Sequence, residues 1–197
     1  MSCWSASSGD GSSLGWYVSQ TAQPRKEWPN TLESFTETAD RMGLRPRSEV
    51  LRAEAVPASF DEAEELSIVP GTDLFHLDRV RLLDEVPIAL DLTQVPVSVL
   101  PAVRKVDFAK RSLFTTLAEA GIEPVRADAT IEARDADQAE ARHLQIAEGK
   151  PLLIMRQVSF DTAGRPLFTS TIKYVGERYR LRTSFSRPQP SGRTRQS

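Results

Sequence analysis

The chain of 197 residues has one cysteine, Cys3, and two histidines, His76 and His143. A single cysteine excludes an internal disulfide framework. Those three residues offer no spacing that would hold a metal ion, so no metal and no cofactor is expected. No apolar run approaches the roughly 20 residues that a bilayer-spanning helix requires. The opening stretch MSCWSASSGDGSSL has neither a basic segment nor an apolar one, so a secretory signal is not expected there. The formal net charge of -2 gives no general attraction to nucleic acid or to an anionic membrane. Together these absences lead us to expect a cytoplasmic protein without a membrane partner. What remains is ordinary: 40% hydrophobic and 26% charged residues suffice for one globular domain with tails.

Residues 1–13 are Ser- and Gly-rich without periodicity and read as a disordered tail. Leu14 to Ser19 reads as an isolated strand fragment, and the stretch to residue 30 as a linker with Pro24 and Pro29. A helix is expected from Asn30 to Met42, capped by Asn30 and ended by Gly43. Ser34 and Thr36 lie near its start, where free backbone N–H groups can meet an anion or the hydroxyls can simply cap the helix. Ser48 to Val56 reads as a strand, and Ser59-Phe60-Asp61-Glu62 as a capping box that opens a short helix. Further helices are expected over Arg111–Ala120 and Asp135–Leu144, and strands over Pro124–Arg134 and Arg178–Phe185. The last residues, 187–197, read as a disordered basic tail.

The stretch FHLDRVRLLDEVPIALD, Phe75 to Asp91, carries the chemistry. It reads as a hairpin around Asp84-Glu85. Alternation puts Phe75, Leu77, Arg79, Arg81 and Leu83 on one face and His76, Asp78, Val80 and Leu82 on the other. The two arginines then stand about 6–7 Å apart among apolar neighbours. Paired guanidinium forks suit a phosphate or carboxylate, although exposed arginines on a sheet are the ordinary alternative. A second hairpin, Leu152–Phe160 with Pro166–Val175, alternates Phe168, Ser170, Ile172 and Tyr174 onto one face. The chain therefore repeats strand, helix, turn and hairpin at a period of roughly 75–80 residues. That pattern predicts an α+β fold, a duplicated antiparallel sheet with helices packed on it and a ligand cleft between its halves.

The order SFTE (Ser34–Glu37), MGLRP (Met42–Pro46), VPGT (Val69–Thr72), RVRLLDEVPIALD (Arg79–Asp91) and GRPLFTSTIKYVGERYRL (Gly164–Leu181) resembles the UTRA domain, over residues 31–186. This is the effector-binding part of HutC-type GntR transcription regulators, similar in fold to chorismate lyase. The resemblance implies a domain that binds a small cytoplasmic metabolite, forms a homodimer and reaches operator DNA through a winged helix-turn-helix domain. It implies that Arg79 and Arg81 hold an anion. Asp91 would take a ligand hydroxyl or amine, Tyr174 would line the pocket, and Ser34 and Thr36 would complete the anion site. Phe168 stands where many sugar-phosphate-binding members have an acidic residue, which favours a less hydroxylated ligand. Leu14 to Ser19 resembles the last wing strand of the DNA-binding domain, so residues 14–30 read as its remnant with a linker. Two alternatives stay open: a chorismate-lyase-like enzyme, and a modulator without a DNA-reading head that pairs with a full-length regulator.

Overall fold

A computed structural model describes residues 26–29 and 32–183 of the chain. The elements run β1 (Lys26–Pro29), α1 (Phe35–Arg41), β2 (Pro46–Pro57), α2 (Phe60–Glu65), β3 (Asp73–Leu83) and β4 (Val86–Pro96). A 3₁₀ helix (Pro101–Lys105) follows, then α3 (Leu113–Glu119), β5 (Arg126–Asp135), α4 (Gln138–Leu144), β6 (Pro151–Phe160), β7 (Pro166–Val175) and β8 (Tyr179–Arg182). The expected wing strand at Leu14–Ser19, the cap at Asn30 and both tails lie outside the described residues.

Six strands form one antiparallel sheet in the order β2-β3-β4-β7-β6-β5. The first repeat contributes β2, β3 and β4, and the second contributes β7, β6 and β5 in the reverse spatial order. The two units meet where β4 pairs with β7. The duplication expected from the sequence is thus the architecture itself. The hairpin register places Arg79 opposite Asp91 and Arg81 opposite Ala89. Asp84 and Glu85 both have positive φ, 48° and 66°, as a two-residue turn between twisted strands requires.

Local chemistry explains the short helices. Ser59 with Glu62 and Asp137 with Glu140 form reciprocal capping boxes at the starts of α2 and α4. The same device starts α1, but with Ser34 and Glu37, so this helix begins at Phe35 and not near Asn30. Ser34 satisfies the Glu37 N–H at 3.0 Å, and a cap so close to the first apolar residue needs no earlier one. The segment expected to be linker contains β1, which pairs in parallel with β8 at the other end of the domain. Four residues ending in proline carry no alternation, so only this distant partner makes them a strand.

The helices divide between the two sheet faces. On one face α1 packs over Leu83, Ala89 and Tyr174, while α3 packs over Phe75, Leu77, Val95 and Phe168. On the other, α4 covers Val80, Leu82, Leu90, Leu152 and Ile154, and α2 covers Leu74. Between the α1 and α3 clusters the first face has a gap, and the arginines project into it.

Candidate functional site

The gap is a cavity of about 120 Å³ floored by β3, β4, β7 and β6 and walled by α1, α3 and the β8 segment. Of the residues expected there, Ser34, Arg79, Arg81, Asp91, Phe168 and Tyr174 all line it. Thr36 does not. It is half-buried at the second position of α1, and Thr38 lines the cavity in its place.

Arg79 is 2% exposed and Asp91 5%. Arg79 donates from Nη2 to Asp91 Oδ2 at 2.9 Å, and Arg81 donates from Nε to the same oxygen at 2.8 Å. The Thr93 hydroxyl donates to Asp91 Oδ1 at 2.8 Å. Arg81 also donates from Nη1 to Ser48 Oγ at 2.7 Å and lies 5.2 Å from the centre of the Phe35 ring. Asp91 is therefore a counter-ion whose oxygens are held by the protein's own donors. Burial pushes its carboxyl up, but Arg79, Arg81 and Thr93 outweigh burial and hold it below the usual value. An acid held ionised in this way cannot serve as a proton donor.

Two guanidinium groups against one carboxylate leave a buried unit of positive charge. Moreover, Nε and Nη1 of Arg79 have no hydrogen-bond partner, and neither does Ser170 Oγ on the same wall. Buried charged donors without acceptors are costly, several times more so than an unpaired amide. Burial, with Arg81 adding repulsion and Asp91 opposing it, pushes the Arg79 pKa down to about 9. The group is thus charged at neutral pH and short of an acceptor.

Apart from Glu33, whose carboxylate accepts from Arg41 Nη1 at 2.9 Å, the rest of the wall is apolar or weakly polar. Phe168 is 1% exposed and meets the Phe114 ring edge-on at 5.7 Å. Tyr174 stacks on Tyr179 with ring centres 3.6 Å apart. Burial first, and the neighbouring Tyr179 second, raise the Tyr174 hydroxyl well above its usual pKa, so it stays a neutral donor. Met155, Gln157 and Ile172 close the β6–β7 side.

Residues 41–180 match the family model of the UTRA domain. The chain belongs to the UTRA family. It carries the effector-binding domain of GntR-type transcription regulators of the HutC kind. It is 26% identical over 133 residues to the HTH-type transcriptional regulator GgaR of Escherichia coli (strain K12), covering 68% of this chain and 52% of GgaR. It is 26% identical over 153 residues to the HTH-type transcriptional repressor NagR of Bacillus subtilis (strain 168), covering 75% of this chain and 61% of NagR. The chain spans about half the length of the first of these relatives. Among solved structures it is similar in fold to PhnF from Mycobacterium smegmatis, with a TM-score of 0.78 at 24% identity over 83% of this chain and 73% of that one. The C-terminal domain of the histidine utilization repressor from Pseudomonas syringae pv. tomato aligns with a TM-score of 0.64 at 25% identity, over 73% of this chain and all of that domain.

Two cavity residues of this UTRA domain, Thr93 and Tyr179, and Ser48, which holds Arg81 from outside the lining, escape a reading of the sequence. Thr93 is two positions beyond Asp91 on the same strand face, so alternation alone could have found it. Ser48 could not be found in this way, because its contact with Arg81 depends on the β2–β3 register. Tyr179 stacks on Tyr174 only because the chain turns back at Gly176-Glu177-Arg178 after β7.

Proposed function

We propose that this UTRA domain senses a small anionic metabolite, phosphorylated or carboxylated, in the cavity beneath α1 and α3. The observation that carries the reading is Arg79: a charged, buried guanidinium with two donors unmatched, beside a second arginine and an unpartnered Ser170 hydroxyl. An anionic head there would accept from Arg79 and from Ser170. An engineered cavity of about 150 Å³ takes up benzene, so a space of about 120 Å³ suits a head with a small body. Phe168, Phe114 and Ile172 favour a body with few hydroxyls. Asp91 acts as the fixed counter-ion that sets the arginines in place, and Tyr174 and Ser34 as walls.

The domain works in the cytoplasm as a homodimer, and ligand binding shifts the dimer between two geometries. Operator contact belongs to a winged helix-turn-helix domain and not to the described residues. The test is a thermal-shift panel of phosphorylated, carboxylated and neutral compounds. Anions should raise the melting temperature in proportion to the logarithm of concentration, as ligand linkage requires. If neutral sugars stabilise the protein as well as the anions do, the reading fails. In a gel shift, the domain alone should give no specific, salt-resistant DNA complex.

A further inference from the structure

We propose that His76 is a proton-operated latch on the sheet face away from the cavity. Neutral, it holds Arg52 of the edge strand β2; protonated, it releases Arg52 and takes Glu62 of α2.

His76 is buried on β3, and side chains from β2 and α2 reach its ring from two sides. Arg52 Nη1 lies 3.3 Å from Nδ1, and Glu62 Oε1 lies 3.5 Å from Nε2. A guanidinium has donors and no acceptor, so Nδ1 must be the bare nitrogen and Nε2 must carry the ring's proton. At 3.5 Å the Glu62 oxygen is beyond ordinary hydrogen-bond length. Nε2 is buried and has no hydrogen-bond partner among the described residues. The ring is thus bonded on its β2 side and idle on its α2 side.

A second proton can go only to Nδ1. It sets N–H against N–H at the Arg52 contact and brings two cations face to face. At the same time Nε2–H becomes a charged donor beside a carboxylate. Glu62 is fixed to receive it. Its Oε2 accepts from the Ser59 N–H and hydroxyl at 2.8 and 2.7 Å, and its Oε1 accepts from Gln94 Nε2 at 3.1 Å. Gln94 in turn accepts from the Thr169 hydroxyl at 2.8 Å, so Glu62 is anchored to β4 and β7. Burial pushes its carboxyl up, but the Ser59 donors, with His76 and Arg52, outweigh burial and hold it below the usual value. Arg52, by contrast, can leave. It is half-buried at the open edge of the sheet and already donates from Nε to Glu54 Oε1 at 2.8 Å.

The register of β2 sets what the latch holds. Ser48 is opposite Arg81 and Val50 opposite Arg79, on the cavity side. After the bulge between Val50 and Arg52, Arg52 is opposite Asp78 and Glu54 opposite His76, on the other side. The bulge thus turns the second half of β2 away from the cavity, and this half, leading into α2, is the part that His76 grips. The charged groups around the ring are Arg52 and Glu54 from β2, Glu62 from α2 and Asp78 from β3, while Gln94 on β4 is neutral. Burial first, and Arg52 second, push the His76 pKa down, and the three carboxylates oppose them. The closed latch therefore excludes a proton that a released ring takes up near the ordinary histidine value of about 6.5. Closure is at full strength above that pH and weakens as pH falls below it.

The test is proton NMR of the histidine rings together with hydrogen exchange, on the full chain. His76→Gln identifies the His76 signal; His143→Gln, on the exposed side of α4, identifies it equally if the first variant does not fold. In the parent, His76 should titrate below about 6.5. Arg52→Met should raise that midpoint by roughly one pH unit, as removal of a neighbouring like charge does. Glu62→Gln, which keeps the helix cap, should lower it. Between about pH 7.5 and about pH 5.5, protection of the amides from Arg52 to Val56, corrected for intrinsic exchange, should fall several-fold and at most about tenfold, the limit for one proton. Protection in β6 should not change. Arg52→Met should show the lower β2 protection at both pH values, and His76→Gln should show no difference between them. A midpoint that Arg52→Met or Glu62→Gln leaves in place overturns the exchange of partners. Unchanged β2 protection in the parent overturns the latch, and so does acid loosening that survives in His76→Gln, which would assign it to Asp78. The latch uses no residue of the cavity, so none of these outcomes depends on the anion site.

Discussion

Replacing Arg79 by methionine should separate what this side chain does for the fold from what it does for a ligand. The variant keeps a long apolar stem in the same place and removes the charge. In the free protein, Arg79 gives Asp91 one hydrogen bond while two of its own donors go unmatched. The fall of its pKa from 12.5 to about 9 corresponds to roughly 4–5 kcal/mol of disfavoured charge at 1.36 kcal/mol per pH unit. That net figure already contains the contact with Asp91, which in the variant keeps Arg81 and Thr93 and becomes a balanced one-to-one pair. Buried ion clusters replaced by apolar side chains of similar volume are often neutral or more stable by about 1–4 kcal/mol. We therefore expect Arg79→Met to be unchanged or up to ~2 kcal/mol more stable in anion-free buffer, measured by urea unfolding.

The same change should cost binding heavily. Hydrogen bonds to charged groups contribute about 1.5–3 kcal/mol each. Loss of the charge and both free donors should lower sulfate affinity by at least about tenfold in calorimetry. Arg81 is a poorer choice for this separation, because it also holds Ser48 and packs on Phe35 beneath α1. Its removal would loosen the fold as well as the site. Arg79→Met destabilised by more than ~2 kcal/mol, or binding sulfate as tightly as the parent, would refute the assignment of Arg79 to a ligand.

Asp91→Asn should behave in the opposite way. It leaves two buried guanidinium groups without a counter-charge and should destabilise the free protein by about 3–5 kcal/mol, with sulfate restoring part of the loss in the same urea titration. The lowered Arg79 pKa also sets a pH dependence. The unfolded chain holds more protons than the native one between about 9 and 12.5, so the free protein's relative stability rises across that window. A bound anion pulls the pKa back up, so sulfate binding should be flat below about pH 8, take up protons near pH 9 and weaken above it. Calorimetry in two buffers of different ionisation enthalpy reads the proton count, and zero uptake at pH 9 would contradict the buried-charge argument. Chorismate incubated with the protein should release no pyruvate, because Asp91 is held ionised; measurable turnover would restore the enzyme alternative. In the β3–β4 turn, Glu85→Gly should stabilise by about 0.5–1 kcal/mol, since φ of 66° favours glycine and the exposed Arg47 pair that is lost contributes little. A lower midpoint in thermal unfolding would show that the ion pair outweighs the strain.

The parts of the fold legible in the sequence were those determined locally. Alternation from Phe75 to Leu83 placed Arg79 and Arg81 on one face because the strand keeps its parity up to the bulge beside Leu82. The two capping boxes at Ser59 and Asp137 are complete within four residues, so their helices could be placed from the sequence. Two things failed, one through distance along the chain and one through a competing local cap. β1 needs β8, some 150 residues later, to become a strand. Thr36 misses the cavity because Ser34, as the cap, sets the phase of α1 and turns Thr38 inward instead.

The role of Asp91 shows the limit most clearly. A carboxylate across a hairpin from two arginines reads equally well as a ligand contact or as a counter-ion. The choice rests on where its oxygens go. The β3–β4 register sets Arg79 directly opposite Asp91, close enough for the guanidinium to reach it, and Arg81 and Thr93 take what remains. One carboxylate cannot neutralise two guanidinium groups, so the shortfall falls on Arg79, the more deeply buried of the pair. A free fold that keeps a charged group short of acceptors gives up stability at the position where a ligand can return it. On that reasoning the anion selectivity of the cavity and the marginal stability of its floor have the same cause, and a variant that improves one should weaken the other.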